Sequence, residues 1–193
     1  MMKNVLIVYI LFHSFIFCQN NNLNRKNGVQ SYNYEDSAVK IKISSVNEIS
    51  KSDTLQIKII IINKLKCDIA VLKKMSGGIF SYDNKYEISL EIEHGGFFQP
   101  QYIRPIEMIR IKQGKNKILF FKYPVEELVK FGCKNYFYLK YSFDYLDNIE
   151  KIPKHKGNFE NIFQGEKIII DHDYILARFH PYLMYCFGIT IKD

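Results

Sequence analysis

Asp171, His172 and Asp173 form the densest run of ionisable side chains in the sequence, with His180 shortly after. Two carboxylates and an imidazole can ligate a divalent metal if a loop folds them inward. On an extended segment, alternate side chains point to opposite faces, so Asp171 and Asp173 share one face and His172 takes the other. That leaves a two-carboxylate arrangement, and a solvated turn is the expectation. His155 lies between Lys154 and Lys156 in a loop bracketed by Pro153 and Gly157. This composition suits either anion binding or a mobile basic loop. His94-Gly95-Gly96-Phe97-Phe98 reads as a recognition loop or as rings folded onto a sheet edge.

Nucleophilic catalysis requires a Ser or Cys supported by a base and an acid, and no G-x-S-x-G or family-type Cys signature occurs. No C-x-x-C occurs, and no Cys and His pair has zinc-site spacing. The expectation is therefore no catalytic, cofactor-binding or metal-ligating residue, and no cofactor. Asp171, His172, Asp173, His180 and His155 are retained as candidates for interaction alone.

The net charge of +7 invites a nucleic-acid reading. Nearly all of the positive charge is Lys, however, and Arg stands only at positions 25, 104, 110 and 178. Phosphate and base-edge recognition leans on the planar Arg fork, which Lys does not reproduce. Lys40, Lys42, Lys58, Lys140 and Lys192 sit singly at alternate strand positions, as on a solvated outer face. No nucleic-acid partner is expected. At 193 residues, with 47% hydrophobic and 15% aromatic side chains, the chain has material for one core. Its Tyr, Phe and Ile bias favours pleated surfaces.

At the N-terminus, Lys3 precedes an almost unbroken apolar run from Val5 to Phe17. Its length of about 13 residues suits a signal-peptide core and falls short of the ~20 needed to cross a bilayer. The expected organisation is a signal peptide over residues 1–18, a flexible Asn-rich linker over 19–37 and one domain over 38–193. Export to the periplasm or outside the cell follows. A membrane association is expected only if Cys18 is lipidated, and Phe17, large for the residue before a lipidated Cys, argues for plain cleavage. Of four Cys, the leader takes Cys18, leaving Cys67, Cys133 and Cys186, an odd number that permits at most one bridge. The strand order below puts Cys67 and Cys186 near the same end, so Cys67–Cys186 is the pair to consider. Three half-buried thiols acting as small hydrophobes is the preferred reading.

The domain itself is written in period-two alternation. Val39, Ile41 and Ile43 alternate with polar residues (strand A). Leu55 to Ile62 begins alternating and ends apolar on both faces (B). Tyr86, Ile88, Leu90 and Ile92 oppose Glu87, Ser89, Glu91 and Glu93 (C). Ile106 to Ile111 (D) and Ile118 to Tyr123 (E) flank Gln113-Gly114-Lys115-Asn116, which reads as a hairpin turn. Pro124 to Gly132 is the one helix signal, with acids early, Lys130 late and Gly132 at the stop. Phe137, Leu139, Tyr141, Phe143 and Tyr145 form one face of a long strand (F). Leu183, Tyr185, Phe187, Ile189 and Ile191 do the same in a last strand (G).

These features predict an all-β fold. The apolar strand ending in Asn63, the Gln113-Gly114-Lys115 turn, and the short helix ending in Gly132 ahead of a Tyr-rich strand resemble immunoglobulin-like or fibronectin-III-like domains of bacterial envelope and secreted proteins. The resemblance covers roughly residues 38 to 193. It implies an antiparallel β-sandwich of about seven strands, with one short helix between strands E and F. It also makes Tyr136 the match for the tyrosine that bonds the E–F corner. Strand C has no Trp and B and F carry no Cys pair, so antibody-type identity is out. Fold alone carries no function. Function is expected in the two long connections, 64–85 and 147–181, which emerge at one pole. The first reading is an exported, non-catalytic interaction module binding a protein or glycan there. The alternatives are a secreted inhibitor of a hydrolase, and a hydrolase or metal-dependent enzyme.

Overall fold

Leu55, Ile57, Ile59 and Ile61 are all completely buried while the residues between them are not, which makes this run one face of a layer. The computed structural model describes residues 24–26, 28–72, 76–82, 85–91, 106–142, 145–156, 159–160, 162–170 and 182–193. Its first strands are β1 (Asn24–Lys26), β2 (Val29–Glu35), β3 (Val39–Val46), β4 (Glu48–Ser50), β5 (Thr54–Asn63), β6 (Ile69–Leu72), β7 (Ser76–Tyr82), β8 (Lys85–Glu91), β9 (Ile106–Ile111) and β10 (Asn116–Pro124). A short helix, α1 (Val125–Lys130), leads to β11 (Tyr136–Ser142) and β12 (Tyr145–Asp147), and a 3-10 turn spans Ile149–Lys151. The remaining strands are β13 (His155–Lys156), β14 (Phe159–Glu160), β15 (Ile162–Gln164), β16 (Lys167–Ile170), β17 (Tyr182–Gly188) and β18 (Thr190–Lys192). The fold is mostly β, as the alternation predicts, with α1 the one α-helix among the described residues.

Strands β1-β2-β3-β5-β10 form one antiparallel sheet, and β17-β11-β8-β7 form a second. The inward faces of the two make a common core, from Ile41, Ile43, Ile57 and Ile59 on one side to Phe137, Leu139, Tyr141 and Phe187 on the other. Aromatic contacts cross this core. Tyr32 stacks on Tyr185 with centroids 4.7 Å apart and meets Phe187 edge-on at 5.0 Å, both within the range of favourable ring pairs. Tyr32 Oη donates to the Cys186 carbonyl, and Gln30 exchanges two hydrogen bonds with the Gly188 backbone. Residues 24–26 and 29–35, inside the stretch read as a linker from its Asn content, thus form two strands, and Gln30, Ser31 and Tyr32 of the second are buried.

The helix follows its signals. Cys133 N–H donates to Leu128 O at 2.9 Å and Gly132 N–H to Val129 O at 2.8 Å, the paired bonds of a Schellman stop. Gly132 has a φ of 87°, a conformation that a Cβ would penalise.

Several finer expectations differ from what is observed. The described residues hold eighteen strand segments rather than about seven. A third sheet, β12-β6-β9-β16-β15, takes β6, β15 and β16 from the two connections expected to be long loops and joins them to β9, the expected strand D. The 64–85 stretch supplies β6 and β7, and the 147–181 stretch supplies β13 to β16, with residues 171–181 outside the described residues. The turn at Gly114 does reverse the chain, with φ 65° and Lys115 N–H bonded to Lys112 O at 3.0 Å. It does not make a hairpin. Strand β9 already has β6 on one edge and β16 on the other, so β10 pairs with β5 in a different sheet. Strand β8 runs parallel to β11, and β4 parallel to β18, where an all-antiparallel arrangement was expected. The added hairpin partner β7 accounts for the direction of β8. Tyr136 is exposed and meets Tyr138 edge-on at 5.9 Å, so its ring is turned outward rather than into a corner.

Cys67, Cys133 and Cys186 are free thiols, half-buried, buried and exposed in turn, so no Cys67–Cys186 bridge is present. Burial pushes the Cys133 thiol from its ordinary 9.0 up to about 11. The raised value means that the folded state holds the proton more tightly than the unfolded state. The thiol's contribution is therefore full below pH 9 and is lost as pH rises through about 11. Melting temperature should fall over this window, and Cys133→Ala should flatten the fall. A profile identical in the two proteins would contradict the assignment.

Candidate functional site

A cleft of about 350 Å³ lies where the turn after β9 meets the turn between β15 and β16. Arg110, Lys112, Lys115 and Lys117 line it, with Gly165 and Glu166 closing the far side. The cations come together because β9 is central in its sheet while β10 begins another, so residues 112–115 bend over the seam between them. The Arg110 backbone N–H donates to Glu166 O at 2.8 Å, which docks the β15–β16 turn against β9. Asp68 fixes the same seam from below, accepting from Gln113 N–H at 3.0 Å.

The charges do not cancel locally. Arg110 lies 3.7 Å from both an Asp68 and a Glu150 carboxylate oxygen, and Lys117 bonds Glu166 at 2.9 Å. Lys112 and Lys115 are exposed and have no acidic partner among the described residues. Arg110 Nε is buried and has no hydrogen-bond partner among the described residues. The cleft is suited to a carboxylate, sulfate or similar anionic group, with Lys ammonium groups as point charges and Arg110 held at the rear.

This gathering was missed in the sequence, where the lysines were read as single and scattered. The signal was present as four cations within residues 110–117 around one Gly. It was absorbed into the hairpin reading of that turn.

Of the candidates named from sequence, Asp171, His172, Asp173 and His180 lie outside the described residues, as does the 94–98 loop. His155 is placed in β13, whose backbone pairs His155 with Glu160 and Lys156 with Phe159. His155 and Lys156, expected in a basic loop, therefore belong to a short antiparallel ladder. Among the described residues, no group of three or more His, Cys, Asp or Glu side chains is arranged to hold a metal ion. No described helix is long and apolar enough to cross a membrane.

A scan against protein-family models, a search of curated proteins and a search of solved structures each return no match to this chain.

Proposed function

We propose that this chain is an exported, non-catalytic interaction module, built on an immunoglobulin-like β-sandwich, that binds an anionic group of a protein or glycan partner at the Arg110–Lys117 cleft. The observation that carries the reading is the convergence of four cations on one cleft lined by a single carboxylate, Glu166. The two connections expected to carry function also flank it, since β6, from 64–85, and β16, from 147–181, take the two edges of β9. The sandwich reading draws support from the pairing of β3 with β5, β5 with β10 and β11 with β17, which corresponds to A with B, B with E and F with G. The helix between β10 and β11 stands where that architecture crosses from E to F. Export draws support from Lys3 and the apolar run Val5 to Phe17.

Fluorescein-labelled hexaglutamate and a chondroitin sulfate hexasaccharide serve as probes for the two partner classes. The triple variant Lys112→Ala, Lys115→Ala and Lys117→Ala should weaken binding of the recognised probe by about tenfold and flatten its salt dependence. Equal affinity of variant and parent for both probes, with folding intact, would remove the cleft from the proposal.

A further inference from the structure

Strand β10 is the last strand of its sheet, bonded to β5 along one edge over nine consecutive pairs from Asn116↔Ile62 to Pro124↔Thr54. The phase of that ladder is fixed at both ends. Asn63 N–H donates to Lys115 O and Val125 N–H to Asp53 O, both at 3.0 Å. In an antiparallel ladder, hydrogen-bonded pairs alternate with non-bonded ones, so the odd-numbered residues of β10 face β5. Asn116, Ile118, Phe120 and Lys122 consequently turn their N–H and C=O groups outward. No strand covers that edge among the described residues. Edges this long are usually blunted by a bulge, an interior Pro or shortness. In β10 the register is unbroken, and Pro124 stands only at the end.

The same residues present their side chains to solvent. Ile118 is 42% and Phe120 54% exposed on the outer face of the sheet. Beside them run Ile60, opposite Ile118, and Lys58, opposite Phe120, with Lys42 one strand further in. Lys42, Lys58 and Lys122 have no acidic partner among the described residues. An apolar step framed by unpaired ammonium groups and bordered by a free backbone edge has the elements of a strand-addition site.

We infer that β10 accepts an extended, acidic segment of a partner protein as an added strand. Its apolar side chains would lie against Ile118 and Phe120 and its carboxylates against the flanking lysines. This deepens the interaction-module reading and rests on it, since the cleft opens at the start of β10, where a terminal carboxylate would arrive. A second copy of the chain is disfavoured by charge. Each copy carries +7, and pairing two β10 edges would place two sets of Lys42, Lys58 and Lys122 on one outer face.

The test uses two capped peptides, acetyl-Glu-Thr-Val-Thr-Val-Thr-Glu-amide and its counterpart with Lys in place of Glu, titrated into the isotopically labelled folded chain. The acidic peptide is expected to bind and to slow amide hydrogen exchange at Ile118, Phe120 and Lys122, and the Lys peptide to do neither. Phe120→Lys should weaken binding by about tenfold. If that variant loses its dispersed spectrum, Ile118→Thr is read in its place, with a loss of about threefold. Binding without slowed exchange at those amides overturns strand addition and leaves the cleft reading intact. No binding of the acidic peptide overturns the inference as well. Protection of the three amides without peptide, with a dimer in sedimentation, assigns the edge to a second copy and overturns it too.

Discussion

Phe187→Ala is expected to lower the unfolding free energy by about 3–5 kcal/mol, the usual cost of emptying an aromatic site in a closed core. Phe187 is completely buried and sits directly opposite Phe137 in the β11–β17 ladder, their rings stacked 5.3 Å apart at an interplanar angle of 11°. It also meets Tyr32, from the facing sheet, in a T-shaped contact. Truncation removes contacts to both layers at once, and neither backbone can close in because each is held by its own ladder. Domains of this size are stable by about 5–15 kcal/mol, so the variant should be marginal. Urea denaturation measures the loss. A drop below about 1 kcal/mol would mean that the two sheets do not share the core described.

Asn63→Leu should cost about 2–4 kcal/mol although it keeps the same number of side-chain heavy atoms, because it leaves buried polar groups unpaired. Asn63 is almost wholly buried at the end of β5. Its Nδ2 donates to Cys67 O at 2.8 Å and to Ile111 O at 3.1 Å, and its Oδ1 accepts from Leu65 N–H at 3.0 Å. These three bonds tie the first sheet, the turn that follows it and the last residue of β9 in the third sheet. The loss should appear in urea denaturation together with faster amide exchange at Leu65. A stability within about 0.5 kcal/mol of the parent would show that the clamp is dispensable.

The strands legible in the sequence are those with one wet face. Val39–Ile43, Leu55–Ile61, Phe137–Tyr141 and Leu183–Ile189 alternate cleanly, and each puts its apolar set into the core. The helix was legible because its stop is chemical, a Gly at a position requiring positive φ. The third sheet was not. Ile69–Leu72 and Lys167–Ile170 are short and apolar on successive residues, a pattern that periodicity cannot distinguish from a covered hook in a loop. Nor does local chemistry specify partners. Gly114 encodes a reversal, but whether β9 and β10 then pair depends on β6 and β16 having taken both edges of β9. Asn63 was readable as a turn former, yet its role as a clamp depends on Ile111, which is distant in sequence. The cationic cleft was half legible for the same reason, since the four charges are adjacent in sequence but their wall, Glu166, comes from a remote turn.

The ladder between β4 and β18 has a consequence for how the chain is made. Thr190, Ile191 and Lys192 pair in parallel with Glu48, Ile49 and Ser50, and Lys192 bonds Glu48 at 2.7 Å. Strand β11 likewise waits for β17 to complete one of its edges. During vectorial synthesis, the early strands therefore emerge long before the segments that cover them, and cooperative closure comes only once the final strands are released. A polypeptide wired in this way is expected to become fully resistant to proteases only after β17 and β18 have joined their partners.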